Sequence, residues 1–229
     1  MSKESTDFFN EEMAQAYDER NSKLAPIKDA LLFSTSLLLK KLSNTSKVLC
    51  VGAGTGSEII YLANTFPQWS FVALEPSKSM LDVCKKRVND SGIGTRCEYV
   101  QGYVQDLPEG ESFQAVLSLF VGHFVPRTER VTYFQNMIKR LHKGGYLVSA
   151  EISFDLESKE YPLMLDKWRE VQTLMGGTPE TLANLPTQLK EVLTVLPPST
   201  TEEQIRQGGL SCPIRFFQAL MICGWFGEK

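Results

Sequence analysis

Residues 47–63, KVLCVGAGTGSEIIYLA, set Gly52, Gly54 and Gly56 at alternate positions directly behind an apolar run. Glycine at such a place lets the chain turn sharply and lets a ligand approach the backbone with no Cβ in the way. Glu75 follows about twenty residues later, where a carboxylate can accept hydrogen bonds from both hydroxyls of a ribose. A dinucleotide site uses G-x-G-x-x-G, whose last glycine allows close packing of helix on strand. Here that place is Ser57, and Gly56 comes one residue early, so pyrophosphate is disfavoured. A nucleoside that carries no phosphate and ends in an amino acid fits better. The remaining candidate for chemistry is His123, because an imidazole titrates close to neutral pH and can serve as a general base. A lone histidine in such a loop is more often structural. No G-x-S-x-G elbow is present, and His123 and His142 have no metal-ligand spacing.

These residues need elements to position them. KVLCVGA is a short continuous apolar run, as expected of a strand buried on both faces of a parallel sheet. The helical run SEIIYLANTF follows without a gap. SFVALEP (strand), SKSMLDVCKKRVNDSG (helix, capped by Ser77) and RCEYVQG (strand) come next. FQAVLSLFVGHF is a strand running into a loop, RTERVTYFQNMIKRLHKGG a helix closed by Gly144-Gly145, and YLVSAEISF a fifth strand. This alternation predicts βαβ units and a parallel sheet. Residues 155–198 carry helical periodicity and no strand. TTEEQIRQGGL is a short helix ending in glycines. CPIRFFQA and ICGWFGEK lie too close for a helix between them, so they pair antiparallel at the end of the sheet. Ahead of the first strand, DFFNEEMAQAYDERNSKLA reads as a polar helix and IKDALLFSTSLLLKKL as a strongly amphipathic one.

Composition narrows the partners. The chain has 229 residues and a net charge of −3. Its densest basic cluster, Lys85-Lys86-Arg87, reads as a solvated helix face, so DNA is not an expected partner. No stretch of about 18 apolar residues exists, and no membrane span is expected. The five cysteines show no C-x-x-C spacing and no signal-peptide pattern precedes them, which predicts reduced thiols in a cytoplasmic protein.

The arrangement resembles the class I S-adenosylmethionine-dependent methyltransferase family. VLCVGAGTG is similar to its first motif, VALEPS to its ribose-binding acid and YVQGYVQDLP to its adenine-side loop. FQAVLSLFVGHFV and MIKRLHKGGYLVSAE resemble the two following segments, and FFQALMICGWFGEK the reversed terminal hairpin. The resemblance implies a Rossmann-like α/β fold: a seven-stranded, mostly parallel sheet, N-terminal helices over 1–46, and a helical cap over 155–198, all within one domain of residues 1–229. It also implies S-adenosyl-L-methionine as cofactor and a small-molecule methyl acceptor, in a monomer or homodimer.

Carried across residue by residue, the resemblance puts the backbone of Gly52, Ala53, Gly54 and Gly56 against the methionine part of the cofactor. Glu75, with Pro76 beside it, takes the ribose. Tyr103 and Val104 take the adenine, and Leu119 and Phe120 lie beside the methyl–sulfur centre. Cys50 stands where the family has an acid, and Glu58 is a candidate to replace it, or else a favourable first-turn acid of its helix. Tyr17 matches a Tyr-Asp pair in the lead helix and is a second catalytic candidate that closes over the cofactor, or else an ordinary packing tyrosine; Asp106 is expected to cap its loop. Phe9, Trp168 and Met175 either line an acceptor pocket under the cap or form a helix–helix seam or a subunit interface. A second reading is a relative of the carboxy-S-adenosylmethionine synthases of tRNA modification, with Arg20, Arg169, Arg206 or Arg215 holding the extra carboxylate. A third is a catalytically silent cofactor-binding protein.

Overall fold

Seven short runs rich in aliphatic and aromatic residues join in one sheet in the computed structural model, which describes residue 19 and residues 22–229. They are β1 (Lys47–Val51), β2 (Ser70–Glu75), β3 (Cys97–Gln101), β4 (Phe113–Leu119), β5 (Leu141–Ile152), β6 (Ile214–Ala219) and β7 (Ile222–Glu228). Their order is β3-β2-β1-β4-β5-β7-β6. The first five run parallel, and β7 lies antiparallel between β5 and β6. This is the Rossmann-like sheet with a reversed hairpin.

Alternation along the strands divides the core in two. Val48 and Cys50 of β1, with Phe71 and Ala73 of β2, face α1 (Ala25–Leu39), α2 (Ser57–Thr65) and α3 (Lys78–Asp90). Leu49 and Val51, with Val72 and Leu74, face α4 (Arg130–Lys139) and α8 (Pro198–Gln207). A strand covered on both faces has no polar side to show, which is why β1 and β2 read as continuous apolar runs. Ser77 caps α3, its hydroxyl accepting from Met80 N at 3.4 Å. A third apolar cluster lies over the β5–β7 end of the sheet. There α5 (Tyr161–Leu174) and α7 (Leu185–Thr187), which runs into a π turn, close on Met221 and Ile222 of the hairpin, while the short α6 (Pro179–Ala183) between them buries no residue.

Two expectations are corrected. Gly144-Gly145 do not close α4, which ends at Lys139; both glycines lie inside β5. The main chain of Lys229 captures them: Gly144 N donates to Lys229 O at 2.9 Å and Lys229 N to Gly145 O at 3.0 Å. Gly144, at φ +77°, permits the irregularity in the β4–β5 register. Helix α1 is not strongly amphipathic. It buries Leu31, Leu32 and Leu39, but Phe33 and Leu37 remain 57% and 54% exposed. At 3.6 residues per turn those two point away from the buried stripe, because the helix holds more apolar residues than one face accommodates. Most of the expected first helix lies outside the described residues, and its end, Ser22–Leu24, is a 3₁₀ turn. Among the described residues no helix is long and apolar enough to cross a membrane.

Candidate active site

Gly52, Gly54 and Gly56 all adopt left-handed φ, at +67°, +52° and +77°. The first and last are required sterically. A Cβ on Gly52 would sit 2.4 Å from Val121 Cγ2, and one on Gly56 would sit 2.7 Å from Cys84 Sγ. The turn leans onto β2, with Gly52 N and Ala53 N donating to Leu74 O at 2.8 and 3.1 Å. Glu75, at the end of β2, then ties the glycine turn to the start of α3. Its Oε2 accepts from Gly54 N and its Oε1 from Ser77 N, both at 3.0 Å. Burial raises this carboxyl above its ordinary value, while the Ser77 and Gly54 N–H groups pull it back. Each oxygen holds one backbone donor and keeps capacity for another.

Glu75 opens into a cavity of about 470 Å³, a size suited to one small-molecule ligand. Val51, Gly52 and Gly54 form one side, and Glu75, Pro76, Ser77 and Met80 the next. Gly102 to Gln105, after β3, make a third. Opposite lie Leu119, Phe120, Val121, Phe124 and Val125 of the segment after β4, backed by Thr132, Tyr133 and Asn136 of α4. Asp106 caps the loop after β3, its Oδ2 accepting from Tyr103 N at 2.8 Å. Phe120 holds φ +62°, a strained conformation for a residue with a side chain. It lines the cavity and also packs against the cap cluster.

The structure therefore brings Gly52, Gly54, Glu75, Pro76, Tyr103, Val104, Leu119 and Phe120 to one cavity. Ala53, Gly56 and Glu58 are not in its lining. Ala53 is buried in the core, and Gly56 sets the contact of α2 with α3. Burial pushes Glu58 up to about 7, against its own backbone N–H and the charge of Lys28. Burial, and then the charge of Glu58, keep the Cys50 thiol well above its usual range, so Cys50 provides no anion.

His123 is also elsewhere. It is buried, its Nδ1 accepts from Ile152 N at 3.2 Å, and its carbonyl accepts from Thr194 N at 2.7 Å. Burial, then the charge of Arg130, lower its imidazole to about 3. A neutral imidazole whose Nδ1 accepts from the backbone, outside the cavity lining, has the setting of scaffold. Trp168 is buried in the cap cluster, against which Met175 packs, and neither lines the cavity beside Glu75. Tyr17, Phe9 and Arg20 lie outside the described residues. Arg169, Arg206 and Arg215 pair with Asp166, Glu203 and Glu202 respectively, and none lines the cavity.

Sequence reasoning missed the α4 wall and a buried network behind it. Arg130 and Glu151, both wholly buried, form an ion pair, and Thr201 of α8 donates to Glu151 Oε1 at 2.9 Å. The available signal was Glu151 itself, an acid inside a strand that had to be buried on both faces.

Comparison with known proteins finds sequences and folds similar to this chain's. Residues 48–145 match a family model described as a methyltransferase domain. The fatty-acid O-methyltransferase of Mycolicibacterium smegmatis is 34% identical over 103 residues, which are 44% of this chain and 35% of that protein. The carboxy-S-adenosyl-L-methionine synthase of Nautilia profundicola is 23% identical over 199 residues, covering 86% of this chain and 82% of that one. Among solved structures, PigF with SAH superposes with a TM-score of 0.68 at 16% identity, over 96% of this chain and 60% of that one. An O-methyltransferase family protein from Burkholderia thailandensis gives 0.68 at 14% identity, over 94% and 59%. At such identities the superpositions establish the fold. The chain spans about a third of the M. smegmatis enzyme and about three fifths of these structures.

Proposed function

We propose that this chain, whose residues 48–145 match a methyltransferase-domain model, is a class I S-adenosylmethionine-dependent methyltransferase that methylates an oxygen of a small-molecule acceptor. We read residues 1–229 as one domain whose helical cap lies on the acceptor side. The observation that carries the reading is Glu75. Its two oxygens are anchored by Gly54 N and Ser77 N, and it faces a 470 Å³ cavity behind three left-handed glycines.

S-adenosylmethionine supplies an electrophilic methyl group on a sulfonium. The chain's residues contribute orientation and exclusion of water. Glu75 accepts the two ribose hydroxyls, Tyr103 and Val104 border the base, and the glycine turn lets the amino-acid end lie against bare backbone. Leu119 and Phe120 close the reacting end with apolar surface. Because His123 lies outside the lining and stays neutral, any proton released by the acceptor leaves without it.

The carboxy-S-adenosylmethionine synthase reading has one supporting observation, the long alignment with the Nautilia profundicola protein. Against it, no Arg or Lys among the described residues lines the cavity to hold an added carboxylate. Mass spectrometry of the co-purified ligand, followed by calorimetric titration with S-adenosylmethionine, tests both. Binding of S-adenosylmethionine or its demethylated product supports the methyltransferase. An extra carboxyl mass supports the synthase, and absence of binding refutes both.

A further inference from the structure

Helix α4 runs beside the cavity and gives Thr132, Tyr133 and Asn136 to its lining. An arginine stands at each end of that helix. Arg130, its first residue, donates from Nη1 to the Gly122 carbonyl and from Nη2 to Glu151 Oε1, with Thr201 Oγ1 3.4 Å from the same nitrogen. Arg140, its C-cap, donates from Nη1 to Pro108 O and from Nη2 to Leu107 O at 2.8 Å and Val104 O at 3.2 Å. The two guanidinium groups thus hold different segments, each of which carries one wall of the cavity. Gly122 belongs to the segment after β4, and Val104, Leu107 and Pro108 to the loop after β3. Between the arginines, the Tyr133 hydroxyl bonds Ser118 of β4.

Loop carbonyls outside the sheet ladder need donors, and a guanidinium offers five in a rigid plane. Such a group sets the spacing of the carbonyls it holds, which a single point charge cannot do. Stability alone is a weak account of the buried member. A buried ion pair is readily replaced by apolar groups of similar volume, and here Arg130 Nε and Glu151 Oε2 have no hydrogen-bond partner among the described residues. The surroundings are also shaped to the pair: a Cβ on Gly122 would fall 1.7 Å from Glu151 Oε2.

We infer that Arg130 and Arg140 are positioning residues, each fixing one wall of the cavity, and that together they set the gap a nucleoside enters. Only the identity of that ligand rests on the methyltransferase reading. Two variants test the inference. Arg140→Lys keeps the charge but cannot reach three carbonyls. Arg130→Met with Glu151→Met removes the buried pair while retaining bulk. Calorimetry with S-adenosylhomocysteine, the melting temperature and the cofactor KM are measured for each.

The expected result is a cooperatively folded Arg140→Lys protein with a near wild-type melting temperature, S-adenosylhomocysteine binding weakened about tenfold, and a matching rise in cofactor KM. The double variant folds cooperatively, its apolar pair replacing the buried ion pair, but binds S-adenosylhomocysteine as weakly. Wild-type affinity in either folded variant overturns the inference, and Arg140→Lys decides alone if the double variant does not fold. Wild-type protein that binds no S-adenosylhomocysteine would refute the proposed function instead. The walls are then read without ligand by hydrogen exchange: Arg140→Lys accelerates exchange at 102–107, and unchanged protection there overturns the inference.

Discussion

Replacing Glu75 by glutamine changes one oxygen into an NH₂ and removes the charge, while volume is conserved. Both oxygens are committed to main-chain donors at 3.0 Å, so the amide can satisfy Gly54 N or Ser77 N but not both. Whichever N–H is left facing the NH₂ loses its acceptor at a site where Glu75 is 7% exposed, at a cost of about 1–3 kcal/mol of stability. The ribose loses a charged acceptor for at least one hydroxyl, which is worth about 1.5–3 kcal/mol of binding, or about 10–150-fold in Kd. Urea unfolding reports the first effect, and calorimetric titration with S-adenosylhomocysteine the second. The carboxyl is raised above its ordinary value, so binding by the wild type also weakens as pH falls through that raised value, a dependence the glutamine variant lacks. A folded Glu75→Gln protein with wild-type affinity would refute the assignment of the ribose to this residue.

Further outcomes are expected elsewhere in the molecule. The His123 imidazole should show no NMR titration between pH 8 and pH 5. Its folded pKa is lowered from 6.5 to about 3, so the unfolded chain binds the proton first, and its contribution to stability is full above about pH 6.5 and lost as pH falls towards 3. Glu58 has the opposite sign. Raised from 4.5 to about 7, it favours the folded state least when ionised, so Glu58→Gln should raise the urea midpoint more at pH 8 than at pH 5. Gly122→Ala should lower the melting temperature sharply and weaken S-adenosylhomocysteine binding, because its Cβ collides with the Glu151 carboxylate. Gly52→Ala should fold but bind poorly, since its Cβ displaces Val121 from the cavity wall.

The features readable from sequence share a local cause. Strand runs such as VLCV and FVAL, the Ser77 cap, the glycine turn and the acid after β2 are each determined within a few residues and recur in a recognisable order. Features that depend on distant partners were not readable. The end of α4 is decided by Lys229, 90 residues beyond Lys139, whose main chain brackets Gly144 and Gly145. His123 could have faced either way from its loop, and the Ile152 N–H that claims its Nδ1 comes from another strand. The Arg130–Glu151–Thr201 network joins a helix, a strand and a second helix, and no spacing rule connects those three positions.

Phe120 belongs to two compartments at once, lining the cavity that Glu75 opens into and packing against the cap cluster from a backbone conformation few residues tolerate. With the donor in the cavity and the acceptor under the cap, as proposed above, donor and acceptor specificity are not separable traits. On that reading, a change that reshapes the cap to admit a bulkier acceptor pushes on a residue that also lines the cavity, and one with little backbone freedom to yield. Adaptation to new acceptors should then proceed through paired changes, one in the cap and one around Phe120. Library designs that diversify the cap alone should recover variants with weakened cofactor binding more often than variants with new substrates.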